Sequence, residues 1–220
     1  MTLVVSDISR HGIVMVGDSA VTKRQGGGKT VGADAVKIQY SAKANVGFAI
    51  WGKAAMSSTR FDYWLKDFIT NEIGEGEAIE EIGAKLADQI NSDLSKLGGP
   101  WASLVRGIHL AGYRDDEPVL FHVHCGHEGE APHELRLYHD FPDDLKMPAK
   151  EFDEALRSGY VHLRNGYHPH FAVLFNSLFG YTAKLREIGK IEFPYPDIEG
   201  RLAFYKLLVK FVAETLKASK

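Results

Sequence analysis

Two short apolar runs open the chain, Leu3–Val5 and Ile13–Val16, on either side of the polar stretch Ser9-Arg10-His11-Gly12. That pattern predicts a β-hairpin, with residue 2 at the lip of the sheet and Asp18 at the end of the second strand. Residues Lys23 to Gly32 are polar and glycine-rich, and predict an irregular connection. Strands follow at Ala35–Tyr40 and Val46–Trp51. The second of these is apolar on both faces, which predicts a central strand, and Gly52 ends it. From Ala54 to Ile73 the period lengthens, with Phe61, Trp64, Leu65, Phe68 and Ile69 spaced as on one face of a helix. A second helix is predicted from Glu77 to Leu97 on the stripe Ile79, Ile82, Leu86, Ile90 and Leu94, and Gly98-Gly99-Pro100 stops it. Strand pattern resumes at Ser103–Tyr113, turns at Arg114–Glu117, and continues at Val119–His124 and Glu134–His139. After a loop bracketed by Pro142 and Pro148, the pattern predicts helices at Glu151–Arg157, Pro169–Ile188 and Pro196–Lys217. Runs of strands followed by runs of helices predict a layered α+β architecture, not alternating βαβ units. No repeat or linker divides the chain, so residues 1–220 are expected to form one domain.

Charge and composition narrow the function classes. The 220 residues are 45% hydrophobic, and 26 basic against 29 acidic residues leave a net charge of −3. There is no basic excess of the kind that binds nucleic acid. No apolar run approaches the roughly 18 residues needed to span a bilayer, so no membrane partner is expected. Polar residues appear by Ser6 and Asp7, too early for a secretory signal. A lone cysteine, Cys125, excludes an internal disulfide and fits a reducing compartment. A cytoplasmic protein is the expectation.

Three residues of the opening region suggest chemistry: Thr2, Asp18 and Lys37. A threonine hydroxyl attacks poorly until a base takes its proton. With Met1 removed, the α-amine of Thr2 would lie beside its own hydroxyl, and such an amine titrates at about 7.7–8.0, near working pH. A nearby lysine lowers that amine's pKa by like-charge repulsion, and a carboxylate holds the lysine in place. The alternative on the residues alone is a frayed Thr2, an Asp18 that opens a turn and a solvated Lys37.

Residues 2–22, followed by AVKIQY and GFAIWGKAA, resemble the opening of a proteasome-type β subunit, a family of N-terminal nucleophile hydrolases with simpler bacterial members. Thr2, Gly12, Asp18 and Thr22 match in type and spacing, as do Lys37 before Ile38 and the strand Phe48–Gly52. The resemblance covers roughly the first hundred residues, and the expected helix pair follows Gly52. It implies a four-layer αββα sandwich of two antiparallel sheets flanked by helices. It also implies a threonine peptidase in which Thr2 attacks, Lys37 tunes its pKa and Asp18 orients Lys37. The Gly52 N–H would hold the oxyanion, Thr22 would align an extended substrate, and Ile50 would line the first substrate pocket. The implied partners are a peptide or unfolded protein substrate and further copies of the chain in a self-compartmentalised ring. An ATPase that unfolds substrates is a partner the resemblance admits and the sequence does not decide. No cofactor or metal is expected. A non-peptidase amidase or acylase on the same fold, or an inert ring-forming homologue, stands as the alternative.

Other motifs carry less. His122, His124, Cys125 and His127 offer zinc-ligand chemistry, but the spacings of closed zinc sites are absent, and a strand end facing solvent or a neighbouring subunit is expected instead. Gly26-Gly27-Gly28-Lys29-Thr30 ends like a phosphate loop, yet Lys23 stands where the pattern needs glycine, so a flexible surface loop is expected. The stripe Leu202, Tyr205, Leu208, Val209 and Val212 is expected in the core, with a partner-helix surface as the second reading.

Overall fold

A computed structural model describes residues 3–9, 12–19, 21–25, 28–32, 34–52, 55–56, 59–96, 106–125, 134–138, 161–166, 173, 177 and 197–218. The opening hairpin forms as expected: β1 (Leu3–Ser9) pairs antiparallel with β2 (Gly12–Gly17), with Ser9 opposite Gly12. Val21–Gln25 and Gly28–Gly32 form a second hairpin, β3 and β4. This corrects the irregular connection and surface loop expected there. Gly26-Gly27 is a two-residue hairpin signal, masked by the polar residues around it.

Next come β5 (Ile38–Ser41), β6 (Val46–Gly52) and the two-residue strands β7 (Ala55–Met56) and β8 (Thr59–Arg60). Helix α1 therefore starts at Phe61 and ends at Asn71, later than the Ala54 start expected from the apolar spacing. Helix α2 spans Ile79–Ser95. Strands β9 (Arg106–Arg114) and β10 (Glu117–His124) join through Asp115 and Asp116, both in the left-handed region at φ 52° and 66°. Two successive positive φ values make the type I′ turn that matches strand twist, and aspartate tolerates them better than most residues. The described chain continues with β11 (Arg136–Tyr138), β12 (Val161–Gly166) and a helix here called α3 (Ile198–Ala218). The helix expected at Glu151–Arg157 and the loop between Pro142 and Pro148 lie outside the described residues, as does nearly all of Pro169–Ile188.

Two antiparallel sheets face each other. One has the order β11-β10-β9-β6-β5, the other β12-β1-β2. β6 is internal, as its double-sided apolar pattern predicts. Its Val46, Phe48 and Ile50 pack under α1 and α2, against Leu65, Ile82, Leu86 and Ile90. Its Ala49 and Trp51 face the other sheet and meet Val4 of β1. β1 is buried along its whole length. Leu3 and Val5 pack under α3 against Tyr205, Leu208, Val209 and Val212, so the expected stripe is core. Each fully buried Val, Leu, Ile or Phe among them contributes about 1.5–3 kcal/mol. The layers are thus α1/α2, five strands, three strands, α3.

A polar seam runs between the sheets. His122 and His124 are 0% and 2% exposed, which corrects the expectation of a solvent-facing strand end. The opposing sheet covers the face of β10 that carries them. The Trp51 indole N–H donates to His122 Nε2 at 2.9 Å, which leaves the His122 proton on Nδ1. Ser6 Oγ and His109 Nδ1 share a 2.8 Å hydrogen bond across the sheets. Trp51 lies over Gly107, where an added Cβ would come within 2.5 Å of the indole.

Candidate functional site

The site forms where three chain segments meet at the open end of β1. The sequence turns at Asp18, just past β2, and the Asp18 N–H donates to the Leu3 carbonyl at 3.0 Å, extending the ladder by one rung. The Asp18 carboxylate then folds back. Its Oδ1 accepts the Leu3 N–H at 2.9 Å and the Lys37 ammonium at 2.6 Å. One oxygen thus ties the first described residue of β1 to a lysine 34 positions further along. Lys37 is brought there by β5, because its carbonyl accepts the Ile50 N–H at 2.9 Å and sets the register of β5 on β6.

Both partners are largely out of water, with side-chain exposures of 6% for Lys37 and 13% for Asp18. Burial pushes the Lys37 ammonium below its ordinary value, and Asp18, with Asp62 further off, only partly offsets this. A lysine of this kind holds its proton less firmly than a surface lysine. It also presents a positive charge through a medium that screens little.

Gly52, at the exposed end of β6, has a φ of 87°, a conformation that strains any residue with a Cβ. It stands two residues beyond the Ile50 N–H bonded to Lys37, about 7 Å along the strand. The Ile50 side chain is 6% exposed and belongs to the core under the helices. Thr22 is paired through its backbone with Val31 in the β3–β4 hairpin. Thr2 lies outside the described residues, as does His127. Covalently, Thr2 is joined to the Leu3 nitrogen that donates to Asp18. The structure therefore brings Asp18 and Lys37 together and places Gly52 on the strand bonded to Lys37. Among the described residues, no cluster of three or more His, Cys, Asp or Glu could hold a metal ion.

Sequence reasoning missed Asp62 and Arg60. The Asp62 carboxylate is 4% exposed and accepts the Val36 N–H at 3.0 Å, directly beside Lys37. Arg60 donates to both Asp62 oxygens, at 3.0 and 2.6 Å. Burial pushes Asp62 up, but the bonds from Arg60 and the Val36 N–H, with the Arg60 charge, bring it below the ordinary carboxylate range. An acid in the first turn of a helix reads in sequence as a response to the helix dipole, which hides a contact 26 residues back.

No protein-family model matches the chain, and no curated protein matches it in sequence. Solved structures do match in shape. A Gly-1 mutant of Anbu from Hyphomicrobium sp. strain MC1 is 12% identical at a TM-score of 0.53, over 100% of this chain and 97% of that one. Anbu from Yersinia bercovieri, described as an ancestral beta-subunit, is 11% identical at a TM-score of 0.50, over 80% of this chain and 65% of that one. The chain has the fold of these proteins, the four-layer αββα sandwich that its opening residues led one to expect.

Proposed function

We propose that this chain is a proteasome-like β subunit and a threonine peptidase of the N-terminal nucleophile type. The observation that carries the reading is the junction of Leu3 N–H, Asp18 and Lys37 at the open end of β1. It fixes a buried lysine beside the residue to which Thr2 is covalently joined. The shared fold with a protein described as an ancestral beta-subunit supports the same reading.

The proposed reaction follows from the residues. Removal of Met1 frees the Thr2 amine. That amine takes the Thr2 hydroxyl proton as Oγ attacks the substrate carbonyl. The resulting oxyanion is held by the Gly52 N–H, at a strand end whose backbone conformation suits glycine. The amine then passes the proton to the departing nitrogen, the C–N bond breaks, and an ester on Thr2 remains for water to cleave. Lys37 keeps the amine's pKa low enough for it to act as base, and Asp18 keeps Lys37 in register. Thr22 lines up an extended substrate through its backbone, and Ile50 shapes the floor of the first pocket. Assembly into a ring encloses these sites. No described helix is long and apolar enough to cross a membrane.

A panel of fluorogenic peptides, compared between the wild type and Thr2→Ala, tests the reading. Hydrolysis lost in Thr2→Ala supports it, and equal rates overturn it. A wild type that cleaves small amides but no peptide supports the amidase or acylase alternative. One that cleaves neither supports the inert homologue.

A further inference from the structure

The Lys37 backbone belongs to a segment, Asp34 to Lys37, that precedes β5 and has no strand ladder of its own. Both sides of this segment are tied. Toward β2, the Ala35 N–H donates to the Ser19 carbonyl at 3.1 Å, one residue past Asp18. Toward α1, the Val36 N–H donates to Asp62 Oδ2, and Arg60 grips Asp34 twice, at its carbonyl and its carboxylate, both at 2.9 Å. Gln39 adds a bond to the Asp62 carbonyl at 2.7 Å. The guanidinium is held in turn over the Tyr63 ring, 4.5 Å from its centroid. Arg60 thus bridges two carboxylates with its fork, a geometry a lysine cannot reproduce.

We infer that Asp62, clamped by Arg60, is a positioning residue for Lys37, fixing the backbone beside it and supplying a second buried negative charge besides that of Asp18. This role rests on the proposed part of Lys37 in peptide hydrolysis, though the clamp itself does not. Among the described residues, the charged groups that act on Lys37 are Asp18 after β2 and Asp62 on α1. Asp62 is offset by Arg60, which also faces Asp34. Asp62 favours the charged form of Lys37, and Arg60 tempers that effect by neutralising Asp62. The two residues therefore act on Lys37 in opposite senses. A merely structural contact would give no such signature, because loss of either residue would simply loosen the fold.

The experiment is an NMR titration of 13Cε-labelled lysine in the full chain, with the Lys37 signal assigned by its loss in Lys37→Arg. Asp62→Asn is expected to move the Lys37 midpoint to lower pH. Arg60→Met, which leaves a bare carboxylate, is expected to move it to higher pH, and Arg60→Lys to restore part of that change. Arg60 is 24% exposed, so its variants keep the core intact, and thermal melts check this. Shifts in the same direction, or no shift in either variant, overturn the inference. In the peptide assay Asp62→Asn is expected to lower kcat by about 10- to 100-fold with KM nearly unchanged. The titration does not depend on activity. A wild type that fails to cleave peptides would therefore sink the proposed function and leave the clamp decided by NMR.

Discussion

Replacing Arg201 with methionine should cost the fold several kcal/mol, and the cost should grow with pH. Arg201, on α3, donates from both Nε and Nη2 to Asp7 in the middle of β1, and neither side chain is more than 2% exposed. The Tyr205 hydroxyl also bonds to Asp7. Burial pushes the Asp7 carboxyl up to about 6, although the Arg201 bonds and charge and the Tyr205 bond pull it down. The native state thus holds this proton more firmly than the unfolded chain, where the ordinary value is 3.8. Asp7 favours folding fully below pH 3.8, and that contribution is withdrawn as the pH rises through about 6. In Arg201→Met only burial and Tyr205 act, so the carboxyl pKa rises further and the withdrawal continues above pH 6. Each pH unit of that extension costs about 1.4 kcal/mol. At pH 8 this amounts to at most about 3 kcal/mol, of the same order as the roughly 3–5 kcal/mol lost when one partner of a buried pair is removed. Urea unfolding at pH 4, 6 and 8, read from midpoints at constant slope, measures it. The double variant Asp7→Leu/Arg201→Met should recover most of the loss, because two apolar side chains leave no buried charge. A deficit below about 1 kcal/mol at pH 8, or one that does not change with pH, would refute the reasoning.

Two further outcomes follow from the same geometry. Lys37→Met keeps the length of the side chain but removes the charge that Asp18 holds, so kcat/KM for peptides should fall by at least roughly 100-fold while the fold persists; steady-state kinetics and a thermal melt read both. Gly107→Val should push the Trp51 indole away from His122 and destabilise the sandwich by about 1–3 kcal/mol, visible as a change in tryptophan emission and a lower urea midpoint.

How much of this was legible beforehand depended on whether a residue's partner was local. The opening hairpin, the apolar strand Val46–Trp51 and the stripes of α2 and α3 carry their own periodicity, and each appears close to its expected place. Strand β12 was missed because its alternation, Val161-His162-Leu163-Arg164, is only four residues long and lies in a stretch whose neighbours read as helical, yet it pairs with β1 in the smaller sheet, with Ser6 opposite Leu163. The start of α1 was misplaced because Ala54–Arg60 contains good helix formers, and two short strands override that propensity. Within the site, the meeting of Asp18 and Lys37 was anticipated from chemistry and resemblance. The Arg60–Asp62 clamp and the buried histidine seam were not. Their partners sit 26 to 103 residues away, on elements whose facing sides only the packed sheets define.

The central claim is that Thr2 supplies both nucleophile and base, and the state of Met1 tests it most directly. Two preparations of the same chain are compared on one fluorogenic peptide, one with Met1 retained and one with it removed, each verified by intact mass. The account predicts hydrolysis only in the processed form, rising with the deprotonation of an amine that titrates near or below pH 8. Equal hydrolysis by the form that keeps Met1 would contradict it.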